Sequence, residues 1–245
     1  MNDLVILIAA TFAIAAITIL FVSQNRPDAD LWKMYKIQFF IVAPVVAGLY
    51  FGGFIFLAVV ALFCLRGGWE ILEMRKYRPG LIGNLLFLLA LCALMSSCIL
   101  VARFGQVAAN RELLLLVYML VEVGDSFALI FGKSFGRTAV FKKLSPKKTM
   151  EGLVGGVIAT LVAATCYSGF AGRFTVPQAL SLAALVFLTA LAGDLIVSAY
   201  KRWHGRKDFL AVNMMHGGVV DIYDSFLFVM LFLIPVGAYL GWVRL

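Results

Sequence analysis

Five of the chain's 13 acidic residues, Glu122, Asp125, Asp194, Asp221 and Asp224, fall inside long apolar runs or at their ends. A charged side chain at mid-membrane costs roughly 2.5–3.5 kcal/mol even on the gentler insertion scale, so such residues need a partner or a purpose. Asp194 stands in "ALVFLTALAGDLIVSAYKRW" ahead of Lys201, about 10 Å along a helix from it. Gly193 beside it lets another backbone or a ligand come close. Asp221 and Asp224 share one helical face and repel each other unless a cation sits near. Oxygen ligands without cysteine or clustered histidine suit Mg²⁺, or another divalent cation, better than zinc. Asp194, Asp221 and Asp224 are therefore the candidate metal ligands. The plain alternative, a helix N-terminus that favours acids, explains one aspartate better than two and leaves Asp194 unexplained.

Basic residues gather nearby in sequence. The stretch "FGKSFGRTAVFKKLSPKKTMEG" (131–152) carries Lys133, Arg137, Lys142, Lys143, Lys147 and Lys148. Its bland reading is a loop touching lipid headgroups. Yet Ser145 or Thr149 is placed to cap the helix that follows, and lysines at a helix N-terminus make a phosphate cradle. "YKRWHGRKD" (200–208) adds Lys201 and Lys207 between Asp194 and His216. Acids that hold Mg²⁺ and bases that hold phosphates suit phosphoryl or nucleotidyl transfer, where catalysis is mostly positioning and charge neutralisation. No Walker A motif is present.

The elements that must position these groups are membrane helices. Of 245 residues, 63% are hydrophobic and 14% charged, outside the soluble globular range. Several runs approach the length that crosses a bilayer core, and none alternates as barrel strands do. Candidate spans lie near 4–22, 37–51, 53–66, 82–102, 112–131, 151–171, 177–200 and 219–242. The first lacks a basic n-region and reads as a retained helix rather than a signal peptide. Gly52-Gly53 offers a turn between the second and third. With eight spans, loops 23–36, 66–81, 132–150 and 201–218 share one side and hold 17 of the 21 basic residues. Seven spans would weaken the split to 14 against 7. The positive-inside rule thus favours eight spans, with basic loops in the cytoplasm. "RGGWEILEMRKYRPG" (66–80) reads as a short interfacial amphipathic helix.

The expected fold is an all-α, polytopic integral membrane protein of about eight transmembrane helices, one domain over 1–245. Its N-terminal helices are 1–110, and its C-terminal helices, 111–245, carry the site. Cys64, Cys92, Cys98 and Cys166 lie in apolar spans and read as small buried hydrophobes. The net charge of +8 is explained by sidedness and anionic lipid, without nucleic acid.

At these residues the sequence resembles the phosphatidate cytidylyltransferase (CDP-diacylglycerol synthase) family. The family's C-terminal signature is matched by Ser198, Lys201-Arg202, Lys207-Asp208, His216-Gly217-Gly218, Asp221 and Asp224. Upstream, "GDSFALIFGKSFGR" (124–137), "SPKKTMEGLVGG" (145–156) and "GDLIVSAYKR" (193–202) resemble its other segments. The likeness covers roughly 37–242 and is specific from 124 onward. The departures are Ile222 for the Arg between the last two aspartates, Val197 for a Glu, Phe127 for a Gly, Met214-Met215 for Pro-Gly and Leu210 for a small residue. Losing a cation and a carboxylate together is what deletion of a salt bridge as a pair would leave; altered substrate or weakened catalysis would leave it equally.

The resemblance implies that CTP and phosphatidate, or a related lipid phosphate, give CDP-diacylglycerol and pyrophosphate, with the site facing the cytoplasm of a bacterial or archaeal membrane. Asp194 and Asp221, with Asp224 nearby, would hold Mg²⁺; Lys147, Lys148, Lys201 and Lys207 would bind phosphates. His216 would orient or protonate a phosphate, or serve only as a turn residue. Asp125 and Ser126 would support the nucleotide or a lysine, with Ser145 and Lys133 in the same phosphate-binding set. Membrane lipids are partners and a homodimer is left open. The alternatives are a CTP-dependent polyprenol kinase, a cytidylyltransferase for another lipid phosphate and, from another class, a transporter or non-catalytic scaffold.

Overall fold

The structure is a computed structural model that describes residues 31–171, 174–210 and 217–239, with positions 4–6, 8, 9, 13 and 16 ahead of them. The first expected span, 4–22, lies mostly outside the described residues, and His216 lies wholly outside them. The described chain runs α1 Leu31–Phe51, α2 Gly53–Arg75, α3 Leu81–Phe104, α4 Ala108–Phe135, β1 Ala139–Phe141, β2 Ser145–Thr149, α5 Met150–Ala171, α6 Val176–Trp203 and α7 Val219–Tyr239.

Local chemistry sets the boundaries. Gly52 and Gly53 take φ of +66° and +50°, the left-handed region that favours glycine, and divide the long apolar run as expected. Thr175 and Gln178 form a reciprocal capping box at the start of α6. Gly205, at φ +69°, ends α6. Its N–H donates to the Arg202 carbonyl at 3.0 Å, and the Arg206 N–H donates to that of Lys201 at 2.9 Å, the paired bonds of a Schellman turn.

Six helices, α2 to α7, are long and apolar enough to cross a membrane, and α1 adds the shorter apolar stretch Phe39–Phe51. The chain is a polytopic helical membrane protein; the described residues give these six and the shorter stretch, not a count of eight. The core centres on α4, where Leu114, Leu115, Val117 and Leu120 are fully buried against α5, α6 and α7. Phe54, Leu65 and Leu81 point outward, where lipid solvates them.

Two expectations need correction. Residues 66–75 are not a separate interfacial helix but the end of α2, which runs unbroken to Arg75. Its Ile71 and Met74 are buried with Leu94, Phe209 and Val220, so tertiary packing, not the interface, takes up the apolar face. Nor is the basic stretch between α4 and α5 a plain loop: within the helical fold, β1 and β2 form an antiparallel hairpin there, with Ala139 opposite Thr149 and Phe141 opposite Ser145. "SPKKT" is its second strand, which presents two adjacent lysines just before α5.

Candidate active site

A cavity of about 500 Å³ opens between α4, β2, α5, α6 and α7. Asp125 of α4, Ser145, Lys147 and Lys148 of β2, Asp194 of α6, and Asp221 and Asp224 of α7 all line it. Residues spread over 100 positions of sequence thus share one polar chamber among apolar helices. Ser126, Lys133 and Lys207 are exposed and are not part of that lining.

Each element reaches the cavity for a local reason. β2 ends at Thr149, whose Oγ1 accepts the Gly152 N–H at 3.2 Å and so caps α5; Ser145 does not. Glu151 accepts the Arg137 and Thr138 N–H groups at 3.1 and 3.4 Å, which ties the hairpin's entry to the same helix start. A Thr149→Ala variant is expected to lose about 1 kcal/mol from this cap, a drop of about 2–4 °C in melting temperature for a chain of this size. A thermal melt in detergent checks it; a variant that melts with the unaltered protein would show that the cap is idle. Gly193 makes the expected close approach: a Cβ there would stand 2.5 Å from Phe228 Cβ and 3.3 Å from the Asp224 carbonyl oxygen. The neighbour it admits is α7.

The charges are cross-paired in a way that spacing does not suggest. Asp194 does not pair with Lys201 of its own helix. Its Oδ2 stands 2.5 Å from Lys148 Nζ, each side chain about a quarter exposed. Lys201 Nζ instead donates to Asp221 Oδ1, with both side chains about one-tenth exposed. Asp221 Oδ2 accepts the N–H groups of Phe209 and Gly218, each at 2.8 Å. Asp221 thereby accepts three donors and ties down both sides of the α6–α7 connection. Asp224 differs: Oδ1 accepts the Ser225 N–H at 2.6 Å, while Oδ2 is buried with no hydrogen-bond partner among the described residues.

Among the described residues no three His, Cys, Asp or Glu side chains come close enough to share an ion. The expected trio of Asp194, Asp221 and Asp224 is therefore not gathered into one cluster, since Lys148 and Lys201 each engage one member. The donor chemistry still fits Mg²⁺, which takes one or two carboxylates and completes its shell with water and substrate phosphates. The unpartnered Asp224 oxygen is the kind of buried group that such an ion satisfies. The two departures stand in different surroundings: Ile222 lines the polar cavity, while Val197 packs into the apolar cluster around Leu94 and Val220.

One residue at the site escaped the sequence reading. Glu70 of α2 is fully buried, and its two oxygens accept the N–H groups of Val219 and Val220 at 2.8 and 2.9 Å. Arg66, one turn back, pairs with it at 3.0 Å and also donates to the Leu210 carbonyl at 3.1 Å. The only signal in the sequence was that Arg66–Glu70 spacing, which exposed helices share.

The fold and site together define a helical membrane protein with a lysine- and carboxylate-lined chamber among its spans. A sequence model of the Cytidylyltransferase family matches residues 85–240, more than half of the chain, and the chain belongs to that family. It is similar to the phosphatidate cytidylyltransferase of Bacillus subtilis (strain 168), with 40% identity over 111 residues, 44% of this chain and 41% of the relative. It is also 40% identical over 108 residues to that of Aquifex aeolicus (strain VF5), 43% of this chain and 39% of the relative. An uncharacterised protein of Escherichia coli (strain K12) is 38% identical over 123 residues, 50% of this chain and 41% of its own. The matched region spans about two-fifths of the length of these relatives.

Proposed function

We propose that the chain transfers a cytidylyl group from CTP to phosphatidate, giving CDP-diacylglycerol and pyrophosphate. The observation that carries this reading is the chamber itself: four carboxylates and two adjacent lysines meet inside a membrane protein, within the segment that matches the Cytidylyltransferase family. The relatives named phosphatidate cytidylyltransferase support the choice of lipid acceptor.

In this reading a phosphate oxygen of the lipid attacks the α-phosphorus of CTP. The bond from that phosphorus to the bridging oxygen breaks, and pyrophosphate leaves with the electron pair. Lys147 and Lys148, side by side on β2, bind phosphate oxygens, and Lys148 exchanges its contact with Asp194 for one with the nucleotide or spans both. Asp194 and Asp224 would hold Mg²⁺ or another divalent cation with Asp221 beside them; the ion, when bound, neutralises charge on the phosphates. Asp125 and Ser145 line the nucleotide's side of the chamber. Lys201 holds Asp221 in place, Lys207, Lys133 and Ser126 act from outside the chamber lining, and His216 orients or protonates a phosphate. The site faces the cytoplasm of a bacterial membrane, which fits the bias of basic residues to that end. An ion-coupled transporter has no need of paired lysines beside the acids.

The test is product analysis with the purified full chain in detergent, given CTP, Mg²⁺ and phosphatidate. Pyrophosphate and CDP-diacylglycerol, both dependent on the lipid, are expected. Release of CDP with a phosphorylated polyprenol would replace this reading with a kinase. No turnover of CTP with any lipid would sink both.

A further inference from the structure

We propose that Glu70 is a positioning residue for the chamber's aspartates, acting from a helix ahead of the segment that the family model matches. Glu70 lies ahead of residues 85–240, and nothing in the likeness assigns it a part. The first turn of a helix leaves its N–H groups unpaired, and buried ones must find acceptors. At the start of α7 three successive donors are taken by two carboxylates from different elements. Gly218 N–H goes to Asp221, while Val219 and Val220 N–H go to Glu70, each at 2.8 or 2.9 Å.

The glycine pair ahead of α7 is the second observation. A Cβ on Gly218 would strike the Glu70 carboxylate and stand 2.7 Å from Phe209 Cβ. One on Gly217 would strike the Asp221 carboxylate and stand 3.1 Å from Asp208 Cβ. Both positions must be bare for the two carboxylates to reach the backbone. The Gly217-Gly218 pair therefore serves as the seat of two protein carboxylates. Those carboxylates already occupy the N–H groups that a substrate phosphate would otherwise take at this helix start. Phosphate binding is left to the lysines of β2.

The anchor bears on chemistry because Asp221 and Asp224 stand in the first two turns of α7. Besides apolar contacts with α3, α4 and α6, α7 is held by the Asp221–Lys201 pair and by the Tyr223 hydroxyl, which donates to the Ile41 carbonyl at 2.8 Å. Glu70 adds the restraint on the backbone of the first turn itself, and through Arg66 it also fixes Leu210 in the loop before α7. Glutamine at 70 keeps one acceptor but turns an N–H₂ toward the second N–H, so it breaks the clamp with almost no change in volume.

The kinetic part of this inference rests on the transferase reading; the structural part does not. For Glu70→Gln in the full chain, hydrogen exchange over 217–224 is expected to quicken at least tenfold. Turnover should fall roughly 10- to 100-fold, as when an outer-shell partner is lost, with KM for CTP within about twofold. Met74→Ala removes a buried side chain one turn further along the same helix. It is expected to lower the melting temperature while leaving turnover per folded molecule unchanged. Unaltered exchange in Glu70→Gln would overturn the anchor. Faster exchange with normal turnover would overturn the positioning role. If the unaltered chain turns over no CTP, the transferase reading falls by itself, and the exchange measurement still decides the anchor.

Discussion

Asp221→Asn is expected to cost about 3–5 kcal/mol of stability, the penalty for breaking a buried ion pair and leaving one partner behind. Lys201 is 7% exposed and has Asp221 as its ion-pair partner, so the variant leaves a buried ammonium without that partner. The amide would also present donors where the carboxylate accepts Phe209 and Gly218 N–H. The connection from α6 to α7 should loosen, and pyrophosphate release should vanish with it. Replacing the pair together, as Lys201→Met with Asp221→Asn, removes the stranded charge. The double variant should recover much of the melting temperature and none of the turnover. If the single variant melts like the unaltered protein, the ion pair is not the clamp described here.

Asp224→Asn is expected to have the opposite balance. The side chain is buried, and one oxygen has no partner among the described residues, which makes the ionised form costly to keep. Asparagine has the same shape and still accepts the Ser225 N–H. The variant should therefore melt at or above the temperature of the unaltered protein. Pyrophosphate release should fall by about 10²–10³ or more, the scale seen when one preorganised charge partner of a transition state is removed. A residue that weakens the fold and strengthens the reaction is kept for the reaction. Near-normal turnover with a raised melting temperature would remove Asp224 from the site. Measured side by side, the two aspartates separate a clamp from a working carboxylate, although they sit one turn apart.

Much of this was legible in the sequence because it depends on composition and local spacing. Apolar runs of bilayer length declare membrane helices without tertiary information. Gly52-Gly53 declares a break because few other residues take a positive φ. Ser145 and Thr149 ahead of Met150-Glu151 declare a cap, and the structure assigns it to Thr149. The rarity of carboxylates in such runs marked Glu122, Asp125, Asp194, Asp221 and Asp224, and all but Glu122 line one chamber. The hairpin was missed because "AVF" and "SPKKT" are too short for any period to show. Residues 66–75 were misplaced because alternating apolar and charged residues look alike whether lipid headgroups or a neighbouring helix cover the apolar side.

The sequence by itself determined that this is a helical membrane protein, where its spans break, and which charged residues are too costly to be there without a use. Only the tertiary structure decided the pairing. It gave Lys148 to Asp194 and Lys201 to Asp221, and left one oxygen of Asp224 open. It also brought Glu70 across some 150 residues to the start of α7. The reason is that a charge's cost is local, fixed by the apolar residues around it in the chain. Its partner is whichever opposite charge the packing of distant helices brings within reach.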